Sequence, residues 1–334
     1  MTAPGTELES HFAGAEEPTD GTDGAVANKS PGKLARDRFR KDKLSMFSLI
    51  VVILYFVAAL AAPILVKVGF LDPFTPNQDL LNPFQLPIGK WGGISGDHWL
   101  GVEPGIGRDV LSRVWYGISF SLAISLTATL IAVIIGVTLG IISGASGGWV
   151  DAIIGRVIDL TLAFPQTLML LALSAVAFAF ISEVMGVPPG NPTRALYVVA
   201  VLGLFGWTGV ARIVRGQVLS LREREFVAAS KMMGASKFRL YFREILPNLW
   251  APILVTFTLI MPAFVSAEAA LAYLGVSIQP PTPTLGNVLF DSLTYADTDF
   301  VFFFVPALLI ATIVVCFNLL GDGLRDALDP KGHR

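Results

Sequence analysis

Six stretches of this sequence are long and apolar enough to cross a lipid bilayer: Leu44–Val66, Gly117–Ser143, Val157–Ile181, Ala195–Ala211, Trp250–Leu274 and Phe300–Leu320. A hydrocarbon core of about 30 Å takes about 20 helical residues. Lipid offers backbone donors and acceptors no water, so each stretch is predicted to be a helix. The expected fold is all-α, a polytopic membrane protein with six transmembrane helices. Composition agrees, because 334 residues that are 53% hydrophobic and only 15% charged cannot cover a soluble domain of that size. The internal prolines Pro165, Pro252, Pro262 and Pro306 are tolerable in helices packed against neighbours, and Gly136 with Gly140 suits close helix contact.

Charge placement sets the expected orientation. Lys33, Arg36, Arg38, Arg40, Lys41 and Lys43 precede the first apolar stretch, and Arg325, Lys331 and Arg334 follow the last. The connection between the fourth and fifth holds Arg212, Arg215, Arg222, Arg224, Lys231, Lys237, Arg239 and Arg243. By contrast, the segments 275–299 and 182–193 hold no Lys or Arg. The positive-inside rule puts both termini in the cytoplasm. The chain then divides into a disordered acidic tail (1–33), a basic segment with the first helix (34–66) and an extracytoplasmic loop (67–116). A core with five helices and a cytoplasmic loop at 212–248 (117–325) and a cytoplasmic tail (326–334) complete it. The first apolar stretch begins too late for a secretory signal.

Several chemistries find no support. Cys316 is the single cysteine, and His11, His98 and His333 are scattered, which argues against a disulfide framework or a histidine-built metal site. No phosphate-cradling G-x-x-x-x-G-K-[ST] run occurs, since Gly32-Lys33 and Gly89-Lys90 lack both the earlier glycine and the hydroxyl residue. The chain is expected to bind no cofactor and to catalyse no reaction itself.

The 212–248 loop carries structure of its own. Ser220-Leu221-Arg222-Glu223 fits a capping box, followed by a helix from Glu225 to Met233 that Gly234 would end in a left-handed cap. Phe226, Ala229 and Met233 fall on one face of it. A second short helix is expected from Ser236 to before Pro247. This basic, apolar-striped helix pair suits docking into a groove on a partner protein, or lying on anionic headgroups. A DNA-reading helix-turn-helix is disfavoured, because membrane helices tether both ends, so no nucleic-acid partner is expected.

The run Glu225-Phe226-Val227-Ala228-Ala229-Ser230, with Gly234-Ala235-Ser236 and Ile245-Leu246-Pro247-Asn248, resembles the cytoplasmic EAA loop of ABC-importer permeases. Further blocks resemble the C-type permease subunit of dipeptide/oligopeptide ABC importers. They include His98-Trp99-Leu100-Gly101, Gly107-Arg108-Asp109-Val110-Leu111-Ser112-Arg113, Glu268-Ala269-Ala270-Leu271, Gln279-Pro280-Pro281-Thr282-Pro283 and Asn318-Leu319-Leu320-Gly321-Asp322-Gly323. The likeness runs from about Lys33 to Pro330. The chain departs from the family pattern in Ala228-Ala229-Ser230, which lacks the acidic member. It departs again at Glu244 where relatives often carry His, in Gly101-Val102-Glu103 for Gly-Thr-Asp, and at Leu285 for Trp.

The resemblance implies a type I ABC importer permease fold in a cell inner membrane, and a pore-forming subunit that is not an enzyme. A second homologous permease would complete the pathway, one or two ATPase subunits would hold ATP and Mg, and an extracytoplasmic solute-binding protein would deliver peptide. It places ATPase coupling at Glu225, Phe226, Ala229, Met233, Gly234, Arg239, Arg243 and Pro247. Glu268 and Tyr273 become candidates for a gate or substrate path, with a structural pair, such as one to Arg108, as the other reading of Glu268. Arg108 and Asp109 become candidates for docking the binding protein, or for fixing the entry of the second helix. Asp159 is expected to pair with Arg156 one helical turn before it. Nickel, glutathione or antimicrobial peptides are the alternative cargoes. From a different class, a secondary transporter would need no ATPase and would tend to show inverted repeats, which are not evident.

Overall fold

The computed structural model describes residues 31–328. The expected disordered tail therefore lies outside the described residues up to residue 30, as does the end of the chain from residue 329, with Lys331 and Arg334. A short basic helix α1 (Pro31–Lys41) precedes α2 (Lys43–Lys67). A long connection containing a 3-10 turn at Gln78–Leu80 leads to α3 (Val110–Ser146). Next come α4 (Gly148–Ala163), α5 (Gln166–Ala179) with a π turn at Phe180–Val184, and α6 (Asn191–Leu221). The helix α7 (Glu225–Met232) follows. The short α8 (Lys237–Arg239) then runs through a π turn (Leu240–Ile245) and a 3-10 turn (Leu246–Leu249) into α9 (Trp250–Tyr273). Finally α10 (Leu285–Leu293) precedes α11 (Phe300–Leu328). Among the described residues β pairing is confined to two isolated bridges, Leu81 with Pro87 and Val102 with Asp109.

Six helices are long and apolar enough to cross a membrane: Lys43–Lys67, Val110–Ser146, Gln166–Val184, Asn191–Leu221, Lys237–Tyr273 and Phe300–Leu328. All six expected spans are present, with corrections to their ends. The second begins at Val110, not Gly117, because Asp109 caps it by accepting from the Ser112 backbone N–H at 2.7 Å. The residues 110–116 thus leave the outer loop. The third is not one helix from Val157: Phe164 is extended (φ −94°, ψ 137°) ahead of Pro165, which has no N–H to continue a ladder. The chain there makes two helices, α4 and α5. The fourth continues to Leu221, and the sixth to Leu328, taking 326–328 out of the expected tail.

The closest helix pair in the bundle is α3 with α6. A Cβ added at Gly136 would stand 2.5 Å from the Val210 Cβ, and one at Gly140 or Gly144 would stand 2.8 Å from the Cβ of Val214 or Val218. Glycines one turn apart thus form a trough that receives a valine ridge. Without a hydrophobic drive between helices in lipid, such close backbone approach is what holds a membrane pair together. A second cluster joins α2, α3, α9, α10 and α11 around Val114, Ile118, Met261, Val265, Phe302 and Phe317. The bundle therefore presents two ends: one with α1 and α7, the other with the 68–109 connection and α10.

Candidate functional site

At the first end the chain between α6 and α9 forms a bent helical hairpin. The expected capping box at Ser220 and Glu223 does not form. Ser220 stays inside α6, whose Val214 and Val218 remain packed on α3, and Glu223 pairs with Arg222 at 2.9 Å. Helix α7 ends at Gly234, whose φ of +76° needs a residue without a Cβ penalty. The Ala235 N–H donates to the Ser230 carbonyl (3.1 Å) and the Gly234 N–H to the Lys231 carbonyl (3.0 Å), the paired bonds of a Schellman cap. Ser236 then caps the next turn by accepting from the Arg239 N–H. The second short helix does not stop before Pro247. Pro247 stands in the first turn of the 3-10 segment, where its missing N–H costs nothing, and the helical path carries on into α9.

The two faces of α7 differ sharply. Val227 and Ser230 are buried, and Val227 packs with Leu240, Tyr241 and Ile245 on the Val210–Val214–Val218 ridge. The Tyr241 hydroxyl also meets the Ser146 hydroxyl at 2.9 Å, fastening the hairpin to the end of α3. On the other face Phe226, Ala229 and Met233 are exposed, and Met232 and Phe238 are 84% and 74% exposed. Glu225, Arg239 and Arg243 are exposed around them, with Arg239 only loosely near Glu244 at 3.7 Å. The hairpin is thus rigidly tied to the bundle on one side and apolar, basic and open on the other.

Nearby arginines on α6 and at its C-terminal cap serve the fold instead. Arg215 grips Asp151 of α4 with two bonds of 2.6 and 2.7 Å, and Arg222 donates to the Gly144 carbonyl. Asp159 pairs with Arg212 at 2.9 Å, not with Arg156 as expected, because α6 lies alongside α4 and brings Arg212 to it. The Arg215 hydrogen bonds hold the Asp151 carboxyl well down, at about 2. A depressed folded value stabilises the fold above the ordinary aspartate value of 3.8 and loses that contribution as pH falls toward about 2. Unfolding midpoints in detergent are expected to drop over that window in the wild type, and to be flatter there in Asp151→Asn.

At the other end the sequence-derived residues occupy different places. Arg108 and Asp109 are both buried, so neither offers surface to a docking protein. Asp109 caps α3 and meets His98 Nδ1 at 2.9 Å, which is the helix-entry role. Arg108 does not reach Glu268; its Nε donates to Glu103. Glu103 in turn faces the Nε of Arg113 at 2.8 Å, and Arg113 faces Asp291 of α10 at 3.5 Å. Arg113 is 0% exposed, yet none of its guanidinium nitrogens has a partner with hydrogen-bonding geometry, so the pairing is one of charge alone. Burial pushes the Glu103 carboxyl up from its ordinary value, against the pull of Arg113 and Arg108. Sequence reasoning missed this cluster, although the Val102-Glu103 departure marked one member.

Glu268 is 0% exposed and takes bonds from the Ser277 hydroxyl (2.8 Å) and the Ser121 hydroxyl (3.1 Å). As placed, it ties α9 to α3 and presents no atom to a pathway. Tyr273 is exposed and stands edge-on to Phe290 at 5.4 Å. Among the described residues no group of three His, Cys, Asp or Glu side chains is placed to hold a metal.

Comparison with known proteins fits this architecture. Residues 136–333 match the binding-protein-dependent transport system inner membrane component. Residues 30–87 match the N-terminal TM domain of oligopeptide transport permease C. The dipeptide transport system permease protein DppC of Bacillus subtilis is 38% identical over 298 residues, covering 89% of this chain and 85% of that protein. The glutathione transport system permease protein GsiD of Shigella flexneri is 37% identical, covering 88% of each chain. An inward-facing structure of the MetNI methionine ABC transporter shares the fold, with a TM-score of 0.52 at 17% identity over 66% of this chain and 97% of that one. The chain therefore belongs to the family of binding-protein-dependent transport system inner membrane components, multi-pass proteins of the inner membrane.

Proposed function

We propose that the chain forms half of the translocation path of an ATP-driven importer for dipeptides or oligopeptides. The hairpin from 212 to 248 would lie in the cytoplasm as the seat of an ATPase subunit. The observation that carries this is the two-faced hairpin: Val227 and Tyr241 fix it to α3 and α6, while Phe226, Met233 and Phe238 stand open beside Arg239 and Arg243. A surface that is rigid behind and apolar in front transmits a push. Closure of the ATPases on ATP and Mg, which they would hold, would shift the bundle between two packings by binding one better than the other. A second permease subunit and a solute-binding protein complete the assembly in this reading. The positive-inside pattern supports both termini being cytoplasmic.

Peptide cargo is supported by the names of the relatives, and glutathione, itself a small peptide, belongs to the same chemical class. A secondary transporter leaves the exposed hairpin without a role. The test is uptake of radiolabelled dipeptide by cells carrying the full operon, with Phe226→Glu in this chain. Uptake is expected to fall at least tenfold, about what placing one charge in a desolvated apolar contact costs, with the protein still in the membrane. Undiminished uptake would remove the hairpin from the mechanism.

A further inference from the structure

The helix α1 has no part in the transport reading, yet it is built as a surface. Lys33, Arg36 and Arg40 recur at i, i+3 and i+7 and so form one stripe. Lys33, Arg36 and Arg40 are all exposed. The other side carries Leu34 and Phe39, both half-buried, and Phe39 packs on the cluster that includes Leu320 and Leu324 of α11. A single extended residue, Asp42 (φ −80°, ψ 103°), separates α1 from α2. Asp42 turns its carboxylate onto the first turn of α2, accepting from the Leu44 and Ser45 N–H groups. The membrane span begins at the very next residue, Lys43. The bend and this neighbour set α1 beside the start of the span, apolar side toward the bundle. Asp322 and Asp326 are exposed on the same end of α11, yet Lys33, Arg36 and Arg40 form no ion pair among the described residues.

We propose that α1 is an interfacial helix that binds anionic phospholipid headgroups through Lys33, Arg36 and Arg40. The charge is complementary, the depth is set by Lys43, and each basic side chain near an anionic surface contributes about fivefold to binding. Such a contact would hold the entry of α2 and the end of α11 at one depth. The inference rests on the membrane placement of α2, and on neither the cargo nor the orientation. The chain's own acidic segment, with Glu7, Glu9, Glu16, Glu17, Asp20 and Asp23, is the rival occupant.

The test uses the full-length chain in nanodiscs of mixed phosphatidylcholine and phosphatidylglycerol, with retained lipid counted by native mass spectrometry. Retained phosphatidylglycerol is expected to fall at least about fivefold in K33Q/R36Q/R40Q, and to stay at the wild-type level in R36K/R40K. In the wild type it should decline with added salt while phosphatidylcholine does not. The salt arm stands even if the triple variant inserts poorly. Equal retention across the variants, or wild-type retention indifferent to salt, overturns the proposal. So does preferential retention that appears only after residues 1–30 are deleted, since the acidic segment is then the occupant.

Discussion

Replacing Glu103 with Ala is expected to destabilise the folded chain by about 3–5 kcal/mol, the cost of removing one partner from a buried ion pair. Two cations depend on it: Arg108 through its Nε, and Arg113 at 2.8 Å. Once Glu103 is gone, Arg113 keeps, among the described residues, only Asp291 at 3.5 Å, in a position with no access to water. The cluster is an arrangement that burial makes costly and that pairing rescues, so half of it is worse than none. Arg113→Met added to the Glu103→Ala background should therefore recover part of the loss. Thermal unfolding followed by tryptophan fluorescence in detergent reads both. A shift within the scatter of surface substitutions, about 0.5 kcal/mol, would mean the charges have water that the structure does not give them.

Gly140→Leu should cost about 3 kcal/mol or more, the upper range for overpacking. Its Cβ would stand 2.8 Å from the Ala211 carbonyl oxygen as well as from the Val214 Cβ. Because the first of these is backbone, trimming Val214 to Ala cannot relieve it, and α3 and α6 must separate. Gly216→Ala is the matched control on α6, with nothing within 4 Å of the added carbon. It should be neutral or gain the fraction of a kcal/mol that Ala holds over Gly within a helix. Equal behaviour of the two variants would deny that the glycine trough holds the pair.

The spans were legible because lipid leaves helices as the sole way to satisfy the backbone, and hydropathy counts them directly. Their ends were not, for reasons that differ. Arg113 made residues 110–116 read as loop, since a hydropathy pattern cannot tell that Glu103 and Asp291 will neutralise that charge inside the protein. Ser220 and Glu223 satisfied a local capping pattern, but α6 runs on through Leu221, which packs on the cluster of Val214 and Val218, so Ser220 stays inside it. Pro165 was read as tolerable, yet the residue before it, Phe164, is held extended, and the helix parted there. The Arg212–Asp159 pair depended on α4 lying beside α6, which no spacing along the chain records.

The hairpin divided in the same way. Gly234 was readable because a left-handed cap asks for glycine, and Phe226, Ala229 and Met233 were readable as one stripe. What stood behind the stripe was not. Val227 and Ser230 look unremarkable in sequence, and the burial of Val227 follows from the π turn at Leu240–Ile245 folding back on the ends of α3 and α6. Glu268 suggested a functional charge by its depth alone; its hydroxyl partners Ser121 and Ser277 come from α3 and the turn after α9.

In the proposed function this hairpin seats an ATPase subunit. The most direct measurement is co-purification of the chain from detergent with the products of its neighbouring genes, comparing wild type with Gly234→Pro. Proline fixes φ near −65° where Gly234 stands at +76°, so the cap and the angle between α7 and α8 are lost while the bundle is left intact. Wild type is expected to bring down an ATPase and a second permease, and the variant to keep the permease but lose the ATPase. An ATPase retained at wild-type stoichiometry by Gly234→Pro, or absent from the wild-type preparation, would contradict it.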